Sequence, residues 1–184
     1  MPVTGTTRGA RVAKDLLLKE KARVPVPVEK IAKKHALVVR EPLPADISGM
    51  LVPITRGSSD PSWAIVVNAD DAPVRQRFTI AHELGHLLIH RYPTAHADGR
   101  YQVRFRNEKS AAGSVRQEIE ANQFAAELLM PEREVRRLAI SLRLDVPDPA
   151  SDRKAIHELV HAAKTRFQVS AQALSFRIAN LGMT

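Results

Sequence analysis

Apolar side chains in the N-terminal part of the chain recur first at helical and then at strand spacing. Residues 8–21 repeat them every three or four positions, which predicts a helix. The prolines of VPVP at 24–27 end that helix before a short second one. Three runs then read as strands: LVVRE at 37–41, SGMLVPIT at 48–55 and WAIVVN at 63–68. Two helices followed by a few strands are therefore predicted.

Helical spacing dominates the rest of the chain. Five helices are predicted, over about 73–91, 114–130, 132–143, 152–166 and 170–181. The hydroxyl of Ser170 is suited to cap the last of them. Between the first two, Tyr101, Val103 and Phe105 alternate with polar residues and predict a short edge strand. Helices, then strands, then more helices indicate an α+β fold.

Length and composition fit one soluble domain. We expect a single domain over 1–184, with a helical arm at about 1–36, strands and the longest helix at 37–92, and a helical part at 93–184. No apolar run approaches the roughly 18 residues that a membrane span needs, and the N-terminus lacks the apolar stretch of a signal peptide. A cytoplasmic protein is therefore expected.

Positive charge is concentrated near the N-terminus. The net charge is +8, and residues 1–40 carry ten basic and three acidic side chains, a net of +7. Such a segment could contact nucleic acid, but it has no aromatic residue for base stacking and no DNA-reading motif. We expect weak, non-specific, salt-sensitive binding at most, because a run of charge is more often a solvated helix face.

Two copies of the pattern His-Glu-x-x-His occur, HELGH at 82–86 and HELVH at 157–161. On a helix, two histidines one turn apart can bind one zinc ion, and the glutamate between them can act as a base. The chain has no cysteine, so a zinc ion must be held by His, Glu or Asp. The first copy lies on an apolar helix, where His82, Glu83 and His86 would be desolvated unless a metal or a network satisfied them. Gly85 indicates a close approach by another element.

The second copy is predicted to be a coincidence of sequence. His157, Glu158 and His161 fall on the polar side of their helix. A catalytic zinc ion needs a third protein ligand, and no Asp, Glu, His or Cys follows His161.

The third ligand of the first copy is predicted on the helix VRQEIEANQFAAELLM. His90 lies too far along the helix from His82 to share one ion, and we interpret it as a core residue or one that supports a ligand. Glu118 shares its face with small residues and is the predicted ligand, whereas Glu120 lies on a bulkier, wetter face and is the alternative. Asn122, one turn after Glu118, could orient a group that supports the ligands, or serve as an oxyanion donor.

The quoted segments resemble the ImmA/IrrE family of zinc metallopeptidases. The likeness lies in RFTIAHELGHLLIH and EIEANQFAAELLMP, and extends to VPVEKIAKKHALVV, SGMLVP and FQVSAQALSFRIANLG, so that it covers most of the chain. It implies a zincin-like fold with a small twisted sheet packed on the active-site helix. It also implies that His82, His86 and Glu118 bind Zn²⁺ and that Glu83 is the general base.

The resemblance further implies peptide hydrolysis and a partner. Members of the family typically cleave a transcriptional repressor, so a helix-turn-helix repressor is the expected substrate. Tyr101, His96 and His157 are candidate oxyanion donors. An edge strand, either 48–55 or 63–68, could hold the substrate extended. A rival interpretation is a zinc-binding regulatory module without turnover, which would bind a repressor or DNA.

Overall fold

A three-stranded mixed sheet forms from the three predicted strands. The computed structural model describes residues 7–54, 62–90, 108–141, 157 and 160–183. The strands are β1 (Leu37–Glu41), β2 (Gly49–Ile54) and β3 (Ser62–Asn68). β3 is central, with β1 parallel to it on one side and β2 antiparallel on the other. Its core residues Ala64, Ile65 and Val67 are buried, which explains why its sequence is apolar almost without interruption.

Seven helices occur within the described residues. They are α1 (Arg8–Lys19), α2 (Val28–Ala32), α3 (Pro73–Ile89), α4 (Glu108–Leu129), α5 (Glu132–Ser141), α6 (160–167) and α7 (Ala171–Asn180). The prediction of an α+β fold is confirmed. α4 begins earlier than the predicted residue 114. The hydroxyl of Ser170 accepts a hydrogen bond from the backbone N–H of Ala173 at 3.1 Å and caps α7, as predicted.

α3 lies at the centre of the molecule. It packs against β2 and β3 of the sheet and against α1, α2 and α4. Its side chains Ile80 and Leu84 are buried in one core with Ile65 of the sheet and Phe124 of α4. Because neighbours surround α3 on several sides, the polar residues on it are held in a defined position. No helix in the described ranges combines the length and the apolar character needed to cross a bilayer.

α1, within the basic segment, is packed into the fold. It lies against α4 and α3, and its residues Ala13 and Leu16 are buried. Lys14 pairs with Glu132 of α5, whereas Lys34 pairs with Glu20 and Arg40 with Glu29 within the segment itself. The N-terminal helix therefore contributes to the core.

Candidate metal centre

α3 presents His82, Glu83 and His86 from two consecutive turns of a buried segment. The relative exposure is 2% for His86 and 5% for Glu83. The two histidine rings meet edge to face, with their Nε2 atoms 3.0 Å apart. One turn of helix separates the two residues, which is why their side chains reach the same point.

α4 brings Glu118 to this point. Its Oε2 lies 3.2 Å from Nε2 of His82, and its Oε1 lies 3.2 Å from Nε2 of His86. The ligand atoms of the three residues all lie within 4.8 Å of one another. Since the carboxylate is on a different helix from the histidines, the cluster depends on how α3 and α4 pack.

The orientation of His82 is set by Asn122. The side-chain oxygen of Asn122 lies 3.1 Å from Nδ1 of His82. An amide oxygen only accepts hydrogen bonds, so Nδ1 carries the proton that is donated to it. Nε2 of His82 therefore faces Glu118 and can bind a proton or a metal ion. Asn122 thus contacts one of the predicted ligands directly.

The charges of the cluster stabilise one another. Burial alone would lower the pKa of His82, but the hydrogen bond with Glu118 and the negative charges of Glu83 and Glu118 outweigh burial and raise it. Hydrogen bonds from His82 and then His86 hold the pKa of Glu118 well below its usual range. The site therefore holds an ionised carboxylate beside two imidazoles, and these groups can bind protons or a metal ion.

These three residues fit a zinc ion. Two histidines and one glutamate are a ligand set of catalytic zinc sites, which keep a further position open. Ligand atoms about 2.1 Å from one ion in tetrahedral arrangement lie about 3.4 Å from one another. The observed distances of 3.0 Å between the two Nε2 atoms and 3.2 Å from each Nε2 to the Glu118 carboxylate are close to that spacing.

Gly85 allows α4 to approach the cluster. A methyl group at this position would lie 2.9 Å from Cδ1 of Phe124 and 3.2 Å from its Cβ and Cγ. These distances are shorter than ordinary carbon–carbon contacts of about 3.5–4.0 Å. The close approach that Gly85 indicated in the sequence is thus the packing of Phe124 against α3, the helix that carries both histidines.

Comparison with known families agrees with this site. Residues 32–179 match the model of the peptidase family Peptidase_M78, described as an IrrE N-terminal-like domain. The chain belongs to the ImmA/IrrE peptidase family. Peptidases of this family are metal-dependent, and His82, His86 and Glu118 lie close enough to bind a metal. No curated protein gives a significant match.

The prediction for the alternative ligand of this ImmA/IrrE chain needs a correction. Glu120 was expected on a wet face of α4, but it is buried together with Phe124 and Glu127. The side chain of Glu118 is 49% exposed and that of Glu120 is 9% exposed. The carboxylate of Glu120 can be buried because a cation lies beside it: Nε of Arg116 is 3.0 Å from Oε1 of Glu120. It is not a member of the metal cluster found among the described residues.

His90 lies next to the cluster and outside it. Nε2 of His90 lies 3.3 Å from the carbonyl oxygen of Gln117, to which it donates, and its ring centre lies 5.5 Å from that of His86. Burial, and then the charge of His86, lower the pKa of His90. Both predicted interpretations, a core residue and one that supports a ligand, are compatible with this buried position.

Other predictions concern residues at or beyond the edge of the described structure. His157 and His161 of the second copy are exposed, and the described ranges contain one potential metal cluster, the one on α3 and α4. Tyr101, with its predicted edge strand, and His96 lie outside the described residues. The structure also excludes 63–68 as an edge strand, because β3 is paired on both sides.

Proposed function

We propose that the protein is a zinc-dependent endopeptidase that cleaves a transcriptional repressor. The observation that carries this proposal is the convergence of two imidazole Nε2 atoms and the Glu118 carboxylate within 4.8 Å. Glu83, on the same helix as both histidines, adds a carboxylate that a purely structural metal site does not require. Membership in a metal-dependent peptidase family supports the same reaction.

The residues of the site divide into ligands and a base. His82, His86 and Glu118 would hold the zinc ion, which when bound supplies Lewis acidity toward a water molecule and the peptide carbonyl. Glu83 takes a proton from the attacking water and transfers it to the leaving amine. The burial of Glu83, which is 5% exposed, keeps bulk water away from this proton transfer.

The substrate is proposed to bind along β2. Among the residues that the structure describes, β2 pairs with β3 alone, so its other edge is proposed to accept an extended peptide. The strand packs directly on α3, because a methyl group added at Gly49 would overlap the methyl group of Thr79. Thr79 lies one turn before Glu83, so a peptide added at this edge runs beside the catalytic helix.

A helix-turn-helix repressor is the proposed partner. The proposal rests on the likeness to ImmA/IrrE proteins, which typically act on such repressors. A repressor encoded beside the gene for this protein is the first candidate to test. Cleavage would take place in a segment that can become extended, since β-augmentation requires an extended chain.

Replacement of Glu83 by glutamine tests the reaction. Glu83→Gln keeps the shape of the side chain and removes its basicity, so we expect the variant to retain zinc and to bind the repressor. Cleavage should fall by roughly 10²–10⁴-fold, the contribution of a positioned base. Zinc stoichiometry and mass spectrometry of the repressor fragments measure the two effects.

Two further variants control this test. Glu118→Gln should lose both zinc and cleavage, because it removes a ligand rather than the base. His161→Ala should behave like the wild type. If Glu83→Gln cleaves as fast as the wild type, the hydrolytic mechanism is wrong. A wild type that binds zinc and repressor without cleavage would instead identify a regulatory binding module.

A further inference from the structure

We propose that Arg8, in the N-terminal helix α1, is a positioning residue for the metal cluster. The inference rests on the metal site of the proposed function, since it concerns how that site is held together. His82 and His86 come from α3 and Glu118 from α4. A metal site tolerates errors of only about 0.5 Å in its ligands, so the relative position of these two helices must be fixed.

Arg8 contacts the end of α3. Its Nη2 donates a hydrogen bond of 2.9 Å to the carbonyl oxygen of Ile89, the last residue of that helix. The final carbonyl groups of a helix have no partner within the helix, and a cation there also interacts favourably with the helix dipole. The contact lies less than one turn beyond His86, so it fixes the part of α3 that carries this ligand.

The same guanidinium contacts α4 beside Glu118. Nη1 of Arg8 lies 3.5 Å from Oε2 of Glu120, whose side chain is 9% exposed. A buried carboxylate needs cationic or hydrogen-bonding partners. Arg116 is one of them, but it belongs to α4 and cannot position that helix relative to another. Arg8 therefore links α4 to a neighbouring element.

His90 provides a second connection between α3 and α4. Its Nε2–H group donates to the carbonyl oxygen of Gln117, and its Nδ1 lies 4.0 Å from Oε2 of Glu120. The turn of α4 from Gln117 to Glu120, which contains Glu118, is thus held from behind by His90 and Arg8. A planar guanidinium can serve both helices at once because it presents several donors in a fixed arrangement.

α1 is itself held firmly enough to position Arg8. A methyl group at Gly9 would overlap the carbonyl oxygen of Glu120, so the backbones of α1 and α4 are in direct contact at this turn. Ala13 and Leu16 anchor the next two turns of α1 in the core. Arg8 therefore approaches the cluster from a packed helix.

Arg8 lies outside the residues that match the family, whereas its partners Ile89 and Glu120 lie inside them. The match covers residues 32–179, and α1 ends at Lys19. We infer that, in this chain, the segment before the matched region completes the support of the metal cluster. In the sequence Arg8 was one of ten basic residues in a charged segment, with no feature that distinguished it.

The expected effect is a loss of metal affinity. Partners that contact a metal ligand directly contribute about 10–100-fold to affinity or activity. Arg8 acts one step further away, through Glu120 and the end of α3. We therefore expect removal of its guanidinium to weaken zinc binding by about 3–10-fold, less than the loss of a direct partner.

The test compares Arg8→Met, Arg8→Lys and Arg11→Ala in the full chain. Arg8→Met keeps an unbranched apolar side chain. Arg8→Lys keeps the charge but cannot contact the carbonyl oxygen of Ile89 and the carboxylate of Glu120 at the same time. Arg11 is an exposed arginine of the same helix that makes no ion pair within the described residues, so Arg11→Ala controls for loss of charge. Zinc affinity is measured by competition with a chromophoric chelator, and ligand geometry by the visible spectrum of the Co²⁺-loaded protein.

We expect weaker zinc binding and an altered Co²⁺ spectrum for Arg8→Met, an intermediate result for Arg8→Lys, and wild-type values for Arg11→Ala. The melting temperatures of the metal-free proteins distinguish a change in zinc affinity from a general loss of stability. A lower melting temperature of Arg8→Met with unchanged zinc affinity and spectrum would overturn the inference and leave the proposed function intact. A wild type that binds neither ion would overturn both.

Discussion

Replacement of Gly85 by alanine tests whether the spacing of α3 and α4 controls the metal cluster. In a helix with free space around it, this change would raise the free energy of unfolding by roughly 1 kcal/mol. Here the new methyl group would lie 2.9 Å from Cδ1 of Phe124. An ordinary contact is about 3.5–4.0 Å, so the ring or the helix must move by about 0.5–1 Å.

Phe124 has little room to move, because it is fully buried in the core between the helices. Overpacking of this kind costs typically about 1–3 kcal/mol. After subtraction of the gain in helix propensity, we expect the free energy of unfolding of Gly85→Ala to fall by about 0–2 kcal/mol. The displacement also separates Glu118 from the two histidines, so zinc affinity should fall.

Two measurements separate these effects. Urea denaturation in the presence of a chelator reports the stability of the metal-free fold, and chelator competition reports zinc affinity. The double variant Gly85→Ala with Phe124→Leu makes room for the methyl group, and it should recover much of the zinc affinity. The reasoning is refuted if Gly85→Ala alone is about 1 kcal/mol more stable than the wild type and binds zinc equally well.

Two other predictions concern the metal and the response to acid. His86→Ala should lose the bound metal, whereas His161→Ala should retain it; metal analysis of the purified variants decides, and the opposite result would identify the second HExxH copy as the site. Hydrogen bonds from Arg40 and then Lys33 lower the pKa of Glu29 from 4.5 to about 2. The folded-state pKa is depressed, so this stabilisation is present above the unfolded pKa of 4.5 and is lost as the pH falls toward 2. Because Glu29 is partly exposed, we expect the wild type to be more stable than Glu29→Gln by about 1 kcal/mol or less at pH 7. This difference should vanish near pH 2, as measured by acid titrations of both proteins. A difference that grows at low pH would contradict the prediction.

Local patterns determined most of the secondary structure. Apolar spacing predicted α3 and the three strands closely, and Ser170 marked the start of α7, because these features depend on residues that are neighbours along the chain. The fold class followed from the order of these elements. The His-Glu-x-x-His pattern predicted two residues of the potential metal cluster for the same reason, since its spacing is that of one helical turn.

Contacts between distant segments decided the rest of the site. The spacing within α4 favoured Glu118 over Glu120 as the ligand. The prediction that Glu120 lies on the wetter face was wrong, because Glu118 is the more exposed of the two side chains. Whether a carboxylate is buried depends on which cations lie near it, and Glu120 is contacted by Arg8, which lies more than 100 residues away in the sequence. Likewise, the pairing of β3 on both sides follows from the sheet order and not from its own residues.

The sequence by itself determined which residues can bind a metal, because ligand chemistry belongs to the side chains and their spacing on one helix. Only the tertiary structure decided which carboxylate completes the set and what holds it there. Glu118 joins His82 and His86 because Gly85 lets α4 approach α3, and because Arg8 and His90 contact both helices behind the cluster. Such contacts are set by packing in three dimensions, which one-dimensional spacing does not encode.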